Sequence, residues 1–221
     1  MNLPDVPVDI IWAAACQAYS TNNGYVKPED LTFSEDHEGK KANRDLIQFY
    51  AVNPDLISEQ SIKDGEEVRN YLKGMIFKIL AEDKTHDYIK KLINLASNDD
   101  LKITINNIAF LASAPQAVVR EQIKDDRNRQ LRECDGYVGI QGDSVQVNFK
   151  IINSYYSDKW ERWYVTAITD DKKMITYSTK NKRIIDPGKV VTATAMVKQH
   201  FINDYTKHET TRLSNVRTGI K

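Results

Sequence analysis

Flat rings and fixed positive charges are interleaved through the last third of the chain. Tyr155, Tyr156, Trp160, Trp163, Tyr164 and Phe201 stand among lysines and arginines from Lys150 to Arg212. A cation neutralises a backbone phosphate, and an aromatic face replaces the stacking that a base loses when its strand is unpaired, worth about 1–3 kcal/mol per base. The mixture fits a surface for single-stranded nucleic acid. The candidate contacts are Lys150, Tyr155, Tyr156, Lys159, Trp160, Arg162, Tyr164, Lys180, Lys182, Arg183, Lys198, His200, Lys207 and Arg212. Trp160 follows the polar turn Ser157-Asp158-Lys159, where a ring is hard to bury, and is the first choice for stacking, with Tyr155 or Tyr164 beside it.

Charge is divided along the chain in the same sense. Residues 135–221 hold 14 Lys and Arg against 9 Asp and Glu, whereas residues 1–134 hold 17 against 22. The zero net charge of the whole therefore conceals a basic part suited to a polyanion. Stacking platforms accept DNA and RNA alike, so this pattern leaves the choice between them open.

Short alternating segments must position these side chains. Residues 145–151, Val-Gln-Val-Asn-Phe-Lys-Ile, alternate apolar and polar at every step, the period of a strand with one buried face. Residues 160–169 are aromatic and β-branched, which also suits a pleated surface. Asp170-Asp171-Lys172-Lys173 turns into a strand at 174–179, and Asp186-Pro187-Gly188 closes the loop before a strand at 190–198. A fifth strand is expected at 210–216. In the second strand Trp163 and Val165 are assigned inward and Arg162, Tyr164 and Thr166 outward, and a slip of one residue would exchange the two sets. Five short strands with no long helix between them predict a small, partly open barrel.

The last hairpin carries a resemblance. Val191-Thr192-Ala193-Thr194-Ala195-Met196-Val197-Lys198-Gln199-His200, followed by Thr210-Thr211-Arg212-Leu213-Ser214-Asn215-Val216, resembles the end of barrel modules in single-stranded-DNA-binding and replication accessory proteins of phages and mobile elements. Those modules have the oligonucleotide/oligosaccharide-binding (OB) fold. The resemblance covers about a third of the chain, and two departures stand out. The tip, residues 201–209, lacks glycine, and the connection between the third and fourth strands is too short for the helix of the larger members. What it implies is a compact OB-like barrel that binds single-stranded DNA in phage-type replication or recombination.

The preceding residues read as helical. Residues 8–19 are apolar and alanine-rich with Asp9 near the start, residues 20–43 are a polar connector, and residues 44–52 make a short helix ended by Asn53-Pro54. A helix is expected to open at Asp64-Gly65-Glu66-Glu67, with Val68, Leu72, Met75, Ile76 and Ile79 on one stripe, and another spans residues 85–96. Residues 101–114 are assigned as helix, and Ala114-Pro115 opens a last helix whose distal part, with Arg127, Arg129 and Arg132, either bridges solvent or faces a partner. The fold class is α+β: an acidic helical domain at 1–134 followed by a basic five-stranded OB-like barrel at 135–221.

No Gly-x-x-x-x-Gly-Lys loop, Gly-x-Gly-x-x-Gly, paired-histidine zinc motif or nucleophile elbow is present. Glu29, Asp30, Asp36 and Glu38-Gly39-Lys40 loosely echo metal-dependent nuclease sites, while His37 and His86 lack ligand-spaced partners. Cys16 and Cys134 fit no metal or redox spacing, and no segment reads as a signal peptide or a membrane span. The expectation is a non-enzymatic cytoplasmic protein (host cytoplasm if phage-encoded) without cofactor or membrane partner, whose helical domain docks on replication proteins. The rivals are an adaptor whose barrel is scaffold only, and a nuclease using the carboxylates between residues 29 and 40.

Overall fold

A computed structural model describes residues 6–33, 39–77, 87–204 and 206–218. The chain divides into two compact units, Met1–Gln122 and Ile123–Lys221. The first is helical and the second is a β-barrel preceded by the last turns of a helix.

In the first unit, α1 (Val8–Asn22) buries Ile11, Trp12, Ala13, Ala14, Ala15 and Ala18, and ends where Asn23 takes a left-handed conformation. It runs three residues past its expected end. A single helical turn, α2 (Asp30–Phe33), lies in what the sequence suggested was an irregular connector, and α3 (Asn43–Val52) stops before Pro54 as expected. α4 (Glu59–Gly74) begins five residues before the predicted start because Ser58 caps it, its side chain accepting from the Ser61 amide. Gly65, read as part of a helix start, instead lies inside α4. A Cβ there would sit 2.6 Å from the Ala13 backbone nitrogen and 2.8 Å from the Trp12 carbonyl carbon, so its bare surface lets α4 lie directly against the α1 backbone.

After α5 (Asp87–Ser97), residues 101–107 are not helical, contrary to expectation; Thr104 and Asn107 make a local turn before α6 (Ile108–Arg132). Pro115 lies inside α6 rather than opening it. Arg69 of α4, with a side chain only 11 % exposed, donates to the Ala96 carbonyl at 3.1 Å and to Asp9 at 3.0 Å, and also pairs with Asp99. Lys73, followed by Arg69, holds the Asp99 carboxyl below its ordinary value by hydrogen bonds and charge.

Among the described residues the second unit has five strands: β1 (Ser144–Ser157), β2 (Arg162–Thr169), β3 (Met174–Thr179), β4 (Val190–Ile202) and β5 (Glu209–Thr218). They form a closed barrel in the order β1-β2-β3-β5-β4, antiparallel except where β3 meets β5 in parallel. The fold is α+β with an OB-like barrel. Phe149, Ile151, Val165, Ala167, Ile175, Tyr177, Val191, Ala193, Ala195, Val197 and Leu213 fill the interior, the alternation the sequence predicts. Turns that lack glycine are made by residues held at positive φ, Lys172 before β3 and Lys207 before β5. The connection from β3 to β4 contains only a 3-10 turn, Lys182–Ile184, pinned by the Tyr177 hydroxyl donating to the Ile184 carbonyl at 2.7 Å.

The division falls twelve residues before the expected boundary at 134. Leu131 and Cys134 pack with Met174 and Ile168, Lys172 pairs with Glu133 at 2.8 Å, and Asp135 donates to the Lys172 carbonyl. The charged end of α6 thus belongs with the barrel rather than bridging solvent.

Two glycines of α4 separate steric from propensity effects. Alanine is the better helix former by about 1 kcal/mol, but at position 65 the steric cost of about 1–3 kcal/mol governs. Gly65→Ala is expected to lower the urea midpoint of the helical unit. Gly74→Ala, with open space around it, is expected to leave that midpoint unchanged or raise it.

Candidate nucleic-acid interface

The outward face of β2 and β3 is a small grid. Arg162, Tyr164 and Thr166 point out while Val165 and Ala167 are buried and Trp163 packs against the barrel core, as assigned from the sequence. On β3, Thr176 and Ser178 point the same way. Cross-strand registers place Tyr155, Tyr164 and Ser178 in one row, and Asn153, Thr166, Thr176 and Arg212 in the next, across β1, β2, β3 and β5. A third row, Ile168 and Met174, is covered by Leu131 and Cys134.

Tyr155 reaches this face only because β1 changes register between Ile151 and Asn153. Upstream of that bulge, Phe149 and Ile151 face inward; downstream, Ser154 and Tyr156 pair with Val165 and Trp163, and Tyr155 pairs outward with Tyr164. The two tyrosine rings stack with centroids 5.3 Å apart and planes 13° apart. Tyr155 is 58 % exposed, so the pair offers an open aromatic surface.

Above this grid lies a groove of about 1180 Å³. Among the described residues, Arg127, Arg162, Lys180, Lys198 and Arg212 line it against a single carboxylate, Asp204. Phe201 contributes a ring with the Arg212 guanidinium 5.0 Å from its centroid, and Arg162 donates to the Ser178 hydroxyl at 3.2 Å. The arrangement can hold a flexible polyanion: cations around the rim, a stacked ring pair at one row, and hydroxyls and an amide at the next.

Of the predicted contacts, Tyr155, Arg162, Tyr164, Lys180, Lys198 and Arg212 converge in the groove. The others do not line it. Trp160 and Lys159 sit on the β1–β2 turn, Trp160 60 % exposed with the Lys159 ammonium 5.2 Å from its ring, while Tyr156 tilts against Trp163. Lys182 and Arg183 lie in the 3-10 turn, Lys150 is exposed on β1 opposite Ile168 and Val190, and Lys207 is at the β4–β5 turn. His200 stacks on Tyr137 with centroids 4.5 Å apart and bonds the Val138 carbonyl at 3.1 Å, which gives it a structural partner instead of a free edge.

Sequence reasoning left Arg127 and Asn128 out of the site; both line the groove from the end of α6. The available signal was the run of charge at 124–132, whose arginines the sequence leaves to solvent or to a partner.

Asp36, Glu38, His37 and His86 lie outside the described residues. Asp30 accepts from the Lys27 amide at 2.9 Å, and among the described residues no cluster of three His, Cys, Asp or Glu side chains could hold a metal ion. No helix among them is long and apolar enough to cross a membrane. Comparison with protein-family models, curated proteins and solved structures finds no match.

Both cysteines are buried and unpaired. Burial, and then the charge of Asp64, push the Cys16 thiol up to about 12; burial also raises Cys134. Only thiolate attacks a disulfide reagent. At pH 8 the native protein is therefore expected to leave a chromogenic aromatic disulfide uncleaved, with two thiols reacting once denaturant unfolds it.

Proposed function

We propose that this protein binds single-stranded nucleic acid, DNA by preference, through the groove over β2 and β3, and that it does so without catalysis. The observation that carries the reading is the exposed Tyr155–Tyr164 stack in a groove that, among the described residues, has five cations and one carboxylate. Stacking on a ring pair requires an unpaired base, and a cationic rim favours the backbone that brings it. The OB-like barrel adds support, since its β2–β3 face and the loops beside it are a recurrent oligonucleotide surface. A place in phage-type replication or recombination rests on the resemblance of the last hairpin, and docking of the helical unit on replication proteins on its acidic charge.

Fluorescence titration with oligothymidine tests this. Tyr164→Ala is expected to weaken binding by about 5- to 150-fold, the equivalent of one lost base stack of about 1–3 kcal/mol. Trp160→Ala, outside the groove, is expected to change it by less than about threefold. With five groove cations engaged, the logarithm of the binding constant should fall with the logarithm of salt with a slope of about −3.5. Absence of an oligonucleotide signal at low salt, in DNA and RNA alike, would overturn the reading. Retention of a protein partner under those conditions would favour the adaptor instead.

A further inference from the structure

Resting on that reading, we propose that Arg127 and Asn128 of α6 form a nucleotide subsite opposite the tyrosine row, with Arg127 holding a backbone phosphate and Asn128 a base or sugar edge. A five-stranded barrel supplies only the floor of such a groove. Here residues of α6 supply a wall. Leu131 is buried against Met174, which fixes that turn of the helix over the third row of the grid. One turn back, Arg127 and Asn128 are half-buried and line the groove, while the neighbouring Asp126 pairs with Arg129 at 2.7 Å. The Arg127 and Asn128 side chains form no ion pair or hydrogen bond with another described residue.

Spacing fits adjacent nucleotides. Two residues along a strand advance about 6.6 Å, so the row under Leu131 lies about 13 Å from the tyrosine row. A strand crossing the face therefore lies between rings on one bank and the helix on the other. A base stacked on Tyr155 and Tyr164 leaves its neighbour over Thr166 and Thr176, within reach of an arginine fork suited to phosphate and an amide suited to a base edge. The helix wall makes the groove selective for a strand whose bases are splayed, because both banks must be satisfied together.

The test uses the full chain and fluorescein-labelled oligothymidine, with anisotropy read over a salt series. Arg127→Met keeps the alkyl stem and helix propensity and is expected to weaken binding about tenfold, with the salt slope shallower by about 0.7, one phosphate contact. Arg127→Lys should restore that slope, which a merely structural role for the side chain would not produce. Asn128→Ala should weaken binding with the slope unchanged. If Arg127→Met loses its fold by circular dichroism, Arg127→Gln replaces it with the same expected slope. Unaltered affinity and slope in the position-127 variants, with Tyr164→Ala still weakened, would overturn the subsite alone. No binding by the unaltered chain would overturn the groove's function and the subsite together.

Discussion

The bulge in β1 at Ile152 decides which side chains the barrel shows to solvent. Continuous pairing from Ile151↔Ala167 would set Tyr155 opposite the inward Trp163 and would put Ser154 beside Tyr164. One extra residue reverses the parity, so that Val147, Phe149 and Ile151 fill the core on one side of it and Tyr155 stacks outside on the other. The same point is where β1 changes partners. It pairs with β4 from Ser144 to Lys150 and with β2 from Phe149 to Ser157, overlapping for two residues just before the bulge, so a bend there lets one strand serve both walls. Barrel closure and the stacked pair thus share one local cause.

A second constraint is charge. The division at residue 122 leaves 13 Lys and Arg against 19 Asp and Glu in the first unit, and 18 against 12 in the second. The split is wider than a boundary at 134 gives, because the arginines at the end of α6 go with the barrel. Leu131 and Cys134 explain why they must: these two apolar side chains cover Met174, which closes no part of the barrel interior and would otherwise face water. The helix end is held by that contact, and Arg127 and Asn128 follow it into the groove.

Most of the barrel was legible because alternation is a strong signal when one face is buried. All five strands were placed, with β2 and β3 nearly to the residue, and Tyr164 faces outward as assigned, a parity that a slip of one residue would have reversed. The site was legible only in part. Tyr155 and Tyr156 are adjacent and chemically alike, and a bulge leaves no mark in composition, so nothing distinguished the ring that stacks in the groove from the one that tilts onto Trp163. His200 and Trp160 lie apart from the groove for different reasons: the histidine is engaged by Tyr137 and Val138, and the tryptophan is as exposed as expected but on the β1–β2 turn. In the helical unit, Gly65 reads as part of a helix start, and glycine in a helix interior is costly. Its place is set by the α1 backbone lying where a Cβ would be, a long-range contact that local propensity does not register.

On the proposed reading of the groove as a single-strand site, the chemistry of its floor bears on selectivity. Ser178 shares the tyrosine row, and the row between it and the helix carries Asn153, Thr166, Thr176 and Arg212. A hydroxyl donates and accepts, and it rotates to suit either role, so it replaces water at any base edge without preferring one. Discrimination between bases needs fixed forks, such as a planar amide or guanidinium held in one orientation. Arg162 is engaged with Ser178, and Arg212 lies over Phe201. On the proposed reading these hydroxyls favour tolerance of sequence, and base preference falls to the planar groups, Asn153 on the floor and Arg127 and Asn128 on the helix wall, which a bound strand would have to fix in place.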